Sequence, residues 1–488
     1  MQIPPTFGQC LKVLLKEHKL FASKLGTELG CKADLKKALE EDITPAKREL
    51  VFQALCKAQI FTAEDLELLQ KALMVSQYGI KRYLTNEAID LLINEKPCPS
   101  YPKIQLPDGK TLASKLRVFH GAQKVRILCV NSCFRSLFHE LADLFSQCEG
   151  DIKMRHYTHL SLPGCDAASL IYCVSPILFD RRYLPYGITG DAEKASALTA
   201  QYISGNLLVI QAEKNGRHIE SFFVIKNRDF AYEFIGTARS GFYSFLQLIT
   251  EDISPAPIWL REVQSTTADY TTLLANALNR ELGRATYFYG YDICYQMIPT
   301  SITLRAFRDK ALFPPDITLA MVAKLEPIFE QRFQNFYHKK KDNYVIVTLD
   351  GCRQFLETGH SADHFIGFRD YTPQERLEIM HIFLHNAGSS PFLHPHLLKK
   401  TIFPKYTIIG YEDRGLTLVD SKCDYDLRNY ITADIYLNYP DFTQEFKDFY
   451  FNCLIKEQCF TQAESMKALT ALYDEYSQKF ACASVSQH

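Results

Sequence analysis

The sequence lacks an excess of charge of either sign, because its 55 Lys and Arg residues nearly balance its 56 Asp and Glu residues. Without a strong overall field, the protein as a whole is not drawn to nucleic acid or to an anionic membrane, so any nucleic-acid contact must come from a local patch. No stretch approaches the roughly 18 consecutive apolar residues of a membrane-spanning helix. The first residues, MQIPPTFGQC, show no basic segment followed by an apolar run, so no export signal is expected. These absences predict a cytoplasmic protein.

The sequence also lacks a recognisable metal-binding pattern. Its 15 cysteines include no Cys-x2-Cys pair. The nearest cysteine spacings are Cys129 with Cys133 and Cys453 with Cys459. His381 and His385 have the i, i+4 spacing of a zinc-binding helix, but Ile382 stands where a metalloprotease needs Glu. We therefore interpret the cysteines as reduced, buried thiols and these histidines as half-buried helix residues, and we predict no cofactor.

Two kinds of segment are present instead, and they divide the chain of 488 residues. Residues 1–95 show apolar residues at helical spacing, separated by helix stop and start signals at Gly30, at Thr44-Pro45 and at Thr62 with Asp65. They predict an all-α bundle of five short helices, with a sixth near 86–93. Three prolines between 97 and 102 predict a linker over residues 96–112.

Residues 113–260 and 261–488 form a large mixed α/β region in this interpretation. In each half, the sequence pattern predicts the same order of elements along the chain: a strand, helices, a hairpin and a helix. The hairpins are centred on Asn215-Gly216 and on Asp413–Gly415. In the second half, the repeated order of elements begins with the strand 344–349. The aromatic run 287–291 is predicted to be a strand packed on both faces. The shared order leaves an internal duplication open, without residue-level identity between the halves.

The repeated order also invites comparison with two-lobed phosphodiesterases of the phospholipase D type. That chemistry needs a nucleophilic His and, two residues later, a Lys in each lobe. The nearest match is His338 with Lys340, but Val345 occupies the place of the expected Asp, and the second lobe has no match. A Gly-x-Ser-x-Gly elbow and a phosphate-binding P-loop are also missing from the sequence. We therefore predict that the protein is not an enzyme.

Residues 7–55 resemble the helix-turn-helix family of the phage-repressor and Cro type, also called the XRE type. The resemblance rests on the segment 25–31, LGTELGC, in which Leu25 and Leu29 would form the buried face of the second helix. Gly26 stands where the two helices cross closely, Gly30 at the turn, and Cys31 in the apolar position after the turn. Leu39 and Thr44-Pro45 fit the later positions of the family pattern. The sequence departs from that pattern at Lys36, where an aliphatic residue is expected, and in the acidic run 40–42.

The resemblance implies a DNA-binding surface on the third helix. Its start after Gly30 would place Lys32, Ala33 and Lys37 toward base edges in the major groove. Lys36, Lys47 and Arg48 would meet phosphates. The alternative is that these side chains form only the solvated face of a helical bundle.

We accordingly predict a sequence-specific transcriptional regulator that binds double-stranded DNA. Its α/β region would sense a small-molecule effector or mediate oligomerisation, with a homodimer through the C-terminal helices at 442–480. The residues that follow the first strand of each half would line the effector site: Asn131, Ser132, Arg135, Asp350, Gly351 and Arg353. Asn131 and Ser132 would otherwise only cap the next helix. The runner-up is a nucleotide-processing or phosphodiesterase-like enzyme, intact or degenerate, whose helical module docks a protein partner.

Overall fold

The computed structural model describes most of the chain of 488 residues. The described residues are 5–93, 103–131, 134–148, 150–158, 167–178, 180, 182–187, 206–227, 229–234, 256–257, 260–263, 267–311, 314–361, 368–400, 406–420 and 433–485. Residues 96–102 of the predicted linker lie outside the described residues, as does Ser132. The remaining linker residues, 103–112, are described, and Ile104, Leu106 and Leu112 are buried in the core of the α/β region.

Five helices form the N-terminal part of the chain, as the helical spacing predicts: α1 (Phe7–Glu17), α2 (Ala22–Glu28), α3 (Lys32–Leu39), α4 (Pro45–Ala58) and α5 (Ala63–Ile93). Their buried faces meet in one core that includes Phe7, Leu11, Leu25, Leu35 and Leu55. The predicted capping box is present at the start of α5, where Thr62 and Asp65 exchange hydrogen bonds. Thr44 precedes α4 with Pro45 at its first position, as predicted, but without a side-chain capping hydrogen bond.

Helix α5 is the element that joins this bundle to the rest of the protein. Its 31 residues contain one non-helical position, Gly79, with φ 83° and ψ 163°. Before the kink, Leu69 and Leu73 lie in the core of the bundle. After it, Ile89 and Leu92 lie in the core of the α/β region, and α5 contacts the helix Ala167–Val174. The predicted sixth helix at 86–93 is thus the second half of α5, and the two cores meet at Gly79 rather than at the predicted boundary at residue 95.

The first α/β unit is a seven-stranded mixed sheet in the order β6-β5-β4-β1-β2-β3-β7. Its strands are β1 (Lys124–Val130), β2 (Asp151–Thr158), β3 (Tyr183–Gly187), β4 (Asn206–Lys214), β5 (Arg217–Asn227), β6 (Phe230–Phe234) and β7 (Ala256–Pro257). Strands β1, β2 and β3 are parallel, and the remaining pairs are antiparallel. The helices are α6 (Leu112–Leu116), a 3-10 turn (Arg117–Phe119), α7 (Arg135–Gln147) and α8 (Ala167–Val174).

The second unit is also a seven-stranded mixed sheet, in the order β11-β10-β9-β12-β13-β14-β8. Its strands are β8 (Leu260–Val263), β9 (Thr286–Tyr289), β10 (Asn343–Val347), β11 (Leu393–Leu397), β12 (Tyr406–Tyr411), β13 (Gly415–Asp420) and β14 (Ala433–Leu437). Its helices are α9 (Thr267–Glu281), α10 (Thr300–Lys310), α11 (Pro315–His338), α12 (Leu349–Thr358), α13 (Pro373–Ser389), α14 (Pro440–Phe449) and α15 (Gln462–Val485). A 3-10 turn (Tyr295–Met297) follows β9, and a π-helix (Tyr450–Gln458) extends α14.

Six strands of each unit follow the same order and directions. Among these six strands, three parallel strands come first along the chain in each unit (β1–β3 and β9–β11). The next three strands (β4–β6 and β12–β14) lie on the other side of the first parallel strand and are joined to it and to each other by antiparallel pairing. Both predicted hairpins are confirmed, with Lys214 paired to Arg217 and Tyr411 to Gly415. The first strand of the second unit is β9, however, and the predicted first strand at 344–349 is the second. The aromatic run is β9, with Tyr287 in one core and Phe288 in the other.

The chain passes directly from one sheet to the other at residues 256–263. Strand β7 pairs with β3, and β8 pairs with β14, with only two residues between β7 and β8. Three Cα–Cα steps of 3.8 Å span at most about 11 Å, so these two sheet edges lie close together. One core also contains residues of both sheets, for example Ile127 and Ile408.

One predicted helix needs correction. The helix that the sequence pattern predicts after the first hairpin, from Asp229 to about residue 249, begins as a strand: Phe230–Phe234 is β6, and residues 235–255 lie outside the described residues. Aromatic residues alternate with Ala231 and Glu233 here, which satisfies the strand period. The stretch 442–455, predicted to be helical, is helical, as α14 followed by the π-helix.

Candidate nucleic-acid interface

Helices α2 and α3 form a tight helix–turn–helix pair in which two glycines have different roles. At Gly26 an added Cβ would lie 2.8 Å from Lys32 Cα, a separation that real Cβ atoms essentially never show. Gly30 has φ +66°, the left-handed conformation that ends a helix, and a Cβ there would meet nothing within 4 Å. Gly26 therefore permits the close helix crossing, and Gly30 permits the turn, as the sequence predicts.

Helix α3 has one buried and one exposed face. Leu35 and Ala38 are 1% and 0% exposed and anchor the helix in the bundle core. Lys32, Ala33, Lys36 and Lys37 are all exposed. The apolar residue that the family pattern places at position 36 is supplied by Leu35, which frees Lys36 to face solvent. The four predicted contact residues on α3 therefore share the solvent-exposed side of one helix.

The two predicted contacts from α4 behave differently from each other. Lys47 is exposed and lies 3.4 Å from Asp34 Oδ1, so part of its charge is offset. Arg48 is only 6% exposed. Its guanidinium donates to the carbonyl oxygens of Ser76 and Ile43 and pairs with Glu41. The prediction that Arg48 meets a phosphate is thus corrected, because its donors are directed into the bundle.

The acidic run 40–42 was the strongest objection to a DNA interface, since carboxylates repel phosphates. Glu41 is exposed, but its carboxylate is bonded within the bundle: Oε1 accepts from Gly8 N–H at 2.7 Å, and Oε2 lies 3.5 Å from Arg48 Nη2. Glu40 lies 4.0 Å from Lys36 in an exposed i, i+4 pair. One of the three acids therefore belongs to the internal hydrogen-bond network, and a second accompanies a lysine of α3.

In the first unit, the predicted effector-site residues lie at the end of β1. Asn131 is buried, has φ +49° and donates its backbone N–H to Tyr157 O at 2.8 Å. Arg135 begins α7, is 6% exposed and stacks its guanidinium 4.5 Å from the centroid of the Tyr172 ring. Asn131 therefore joins the end of β1 to β2 through its backbone, and the Arg135 side chain packs against α8.

The candidates of the second unit follow β10, which corresponds to β2 rather than to β1. Gly351 N–H is capped by Thr348 Oγ1 at 2.9 Å, and a Cβ on Gly351 would lie 1.9 Å from Tyr291 O. Arg353 pairs with Glu475 of α15 at 2.9 Å, and Asp350 is exposed. The two predicted sets thus occupy non-equivalent strand ends in different sheets, and the role of effector binding stays a prediction.

Sequence reasoning missed a buried polar cluster in the first sheet. His156 on β2 is 0% exposed and shares hydrogen bonds with Tyr183 Oη at 2.9 Å and Thr158 Oγ1 at 3.1 Å. Burial lowers the pKa of His156 to about 3, so the ring is neutral. Both ring nitrogens are occupied, which suits a structural histidine better than a catalytic one.

The remaining residues that the sequence offers as catalytic or metal-binding candidates do not form one site. His338 ends α11 and Lys340 is exposed, whereas Val345 is buried in β10. His381 and His385 are exposed on α13 rather than half-buried, with ring centroids 6.2 Å apart. Across the described ranges, His, Cys, Asp and Glu side chains form no group of three or more that could hold a metal ion.

The C-terminal helices bury one apolar face within the chain. Phe446, Tyr450 and Leu454 are buried in the core shared by the two sheets. Leu469 and Tyr476 of α15 are buried in the second core, against α13 and β11. These side chains are used within one chain, and the homodimer through 442–480 stays a prediction. In the described part of the chain, no helix is both long and apolar enough to cross a bilayer.

Comparison with known proteins gives weak structural likenesses alone. No protein-family model and no curated protein matches the chain. A phosphatidylserine synthase of Haemophilus influenzae Rd KW20 is similar at 10% identity over 82% of this chain and 99% of that chain, with a TM-score of 0.25. A polyphosphate kinase from Porphyromonas gingivalis is similar at 12% identity over 86% of this chain and 65% of that chain, with a TM-score of 0.22. TM-scores this low do not establish a common fold.

Proposed function

We propose that the protein is a DNA-binding transcriptional regulator of the helix-turn-helix type whose α3 enters the major groove. The observation that carries this proposal is the α2–α3 pair: a close crossing at Gly26, a left-handed turn at Gly30, and a third helix whose exposed side carries three lysines and an alanine. A helix of this kind can reach base edges with its first turns.

The residues divide into two roles in this proposal. Lys32 and Lys37 donate to base acceptors such as guanine O6 and N7, and Ala33 packs against a thymine methyl group. Lys36 and Lys47 contact phosphates and fix the register without reading sequence. Because residues 1–50 hold nine Lys and Arg against seven Asp and Glu, the electrostatic contribution to affinity is small.

The α/β region would serve as the effector-sensing or oligomerisation part of the regulator. Its two units with the same six-strand order support an origin by duplication of one α/β-hairpin unit. Since the residues at the carboxyl ends of β1 and β10 are largely taken up by packing and capping, an effector would bind elsewhere or displace those contacts. A homodimer would present two α3 helices to paired half-sites.

The two-unit arrangement is also compatible with the alternative of a phosphodiesterase-like enzyme. A repeated unit can build one site from both halves, and the predicted runner-up is an enzyme of that kind, intact or degenerate. The buried, neutral His156 and the scattered positions of His338, Lys340 and Val345 favour a region that binds over one that catalyses. Turnover of a phosphodiester substrate by the full chain would favour the alternative.

The experiment is a charge reversal on α3 in the full-length protein. Lys36→Glu should lower affinity for random duplex by about tenfold, because a phosphate contact becomes a repulsion. Lys324→Glu is the matched control, since Lys324 is exposed on α11, outside the bundle. Equal affinities of the two variants and the unchanged protein for duplex, or no duplex binding at about 50 mM salt, would contradict the proposal.

A further inference from the structure

Gly79 interrupts α5 at the boundary between the bundle and the α/β region. Its φ of 83° and ψ of 163° lie in a region that is essentially open to glycine alone. A Cβ at this position would meet nothing within 4 Å, so only the backbone conformation requires glycine here. The bend is therefore set by a single residue whose φ and ψ can change without a steric obstacle.

On the bundle side, the last turn before the kink is firmly attached. Ser76 O accepts from Arg48 Nη1 at 3.1 Å, and Ser76 Oγ accepts from Phe7 N–H at 2.7 Å. Arg48 also pairs with Glu41, which holds Gly8 N–H. Glu41 follows α3 by two residues, so hydrogen bonds connect the end of α3 with the position three residues before Gly79.

On the other side, the second half of α5 belongs to the α/β region. Ala88, Ile89 and Leu92 are all 0% exposed in the core that both sheets share. Helix α5 contacts α8 of the first unit and α14 of the second, and α14 continues as the π-helix 450–458. This half of α5 is therefore packed against both units of the α/β region.

The residues on either side of the bend belong to neither large core. Val75 packs with Tyr83 and Leu84 in a small separate cluster. Gln77 Nε2, two residues before Gly79, donates to Glu49 Oε2 at 3.3 Å. The bend thus lies between two large cores, which is the arrangement expected of a hinge.

We infer that Gly79 is a hinge through which the α/β region sets the orientation of the bundle, and that the Glu41–Arg48–Ser76 connection makes α3 follow the first half of α5. The claim that the hinge regulates the DNA interface rests on the proposed function. The hinge itself is a property of the chain without DNA.

The test compares Gly79→Ala with Gly283→Ala in the full chain by small-angle X-ray scattering and duplex binding. Gly283 is a suitable control because it has φ +70° and an open Cβ position, yet lies in the turn before β9. We expect Gly79→Ala to change the scattering profile and to change duplex affinity at least about fivefold, the lower end of typical allosteric coupling. Gly283→Ala should leave both at the values of the unchanged protein.

The outcomes separate the hinge from the DNA proposal. If Gly79→Ala leaves both the profile and the affinity unchanged while the parent protein binds duplex, the hinge is refuted and the function stands. If its profile changes but the parent protein does not bind duplex, the hinge stands and the function fails. If Gly79→Ala does not fold, amide hydrogen exchange of the unmodified chain tests the hinge instead. The hinge then requires faster exchange at 77–82 than at 66–74 and 86–92, and equal protection would refute it.

Discussion

Arg48 donates a hydrogen bond from Nη1 to the carbonyl oxygen of Ser76 at 3.1 Å, which joins α4 to the last turn of α5 before Gly79. That carbonyl lies three residues before the non-helical Gly79, and carbonyl groups near a helix end commonly take partners outside the helix. The guanidinium also meets Glu41 and Ile43 O. A residue that the sequence presents as a phosphate contact is thus an internal connection between three parts of the bundle.

Replacing Arg48 with Met should therefore destabilise the bundle rather than weaken DNA binding selectively. Met keeps the apolar stem but leaves Ser76 O and the Glu41 carboxylate without this donor, at a cost of about 1–3 kcal/mol in the free energy of unfolding. Urea denaturation followed by circular dichroism measures the change. Lys47→Met is the control, because Lys47 is exposed and should cost less than about 0.5 kcal/mol. Equal effects of the two substitutions would show that the Arg48 contacts do not stabilise the fold.

Gly26 gives a second prediction about the helix–turn–helix pair. Gly26→Val would place side-chain atoms against the Lys32 backbone, push α3 away from α2 and abolish duplex binding. The cost to stability is about 1–3 kcal/mol, as for other overpacked sites. Gly30→Ala has no steric clash and should cost only about 1–2 kcal/mol through its left-handed backbone, with duplex binding retained. Retention of full affinity by folded Gly26→Val would mean that the close crossing is not needed for binding.

Glu140 should make the stability of the α/β region depend on pH. Its carboxylate accepts from Ile104 N–H at 2.9 Å, and it is 7% exposed. Burial raises its pKa to about 7, a rise that Asp143 reinforces and that Ile104 N–H and Lys103 oppose. Because the folded pKa lies above the ordinary value of 4.5, the folded state binds more protons between about pH 4.5 and 7. Stability is therefore lost as the pH rises through this window.

Glu140→Gln removes that titration while keeping the acceptor oxygen. The stability of the variant relative to the parent protein should rise by roughly 2–4 kcal/mol from pH 5 to pH 8, at about 1.4 kcal/mol per pKa unit. Urea denaturation at a series of pH values measures it. A difference between parent and Glu140→Gln that stays constant with pH would show that Glu140 is not buried as a carboxyl group.

The sequence predicted the local elements better than their long-range arrangement. Capping residues and turn glycines specify their own surroundings, which is why Thr62, Gly30 and Asn215-Gly216 gave correct boundaries. The strand β9 was expected, but its place as the first strand of the second unit depends on pairing with residues more than 50 positions away. No local signal contains that information.

The candidate interface was likewise predictable only in part. The exposed side of α3 follows from the helical period of Leu35 and Ala38. The burial of Arg48 does not, because it depends on α5 returning over α4 with Ser76 in position to accept. Gly79 carries no sequence signal of a hinge, since a single Gly inside a helical pattern is compatible with an uninterrupted helix.

The most direct measurement of the central claim is the dependence of duplex affinity on salt concentration for the full-length protein. The two phosphate contacts, Lys36 and Lys47, and the two base contacts, Lys32 and Lys37, would bring at most four cations per chain to the duplex. Fluorescence anisotropy with random and selected duplexes, from about 50 to 200 mM salt, should give a slope of log K against log salt between about −2 and −4 per chain. Lys36→Glu should make that slope shallower by about 1. Absence of duplex binding at the lowest salt concentration, or a slope that Lys36→Glu leaves unchanged, would contradict the assignment of α3 to DNA.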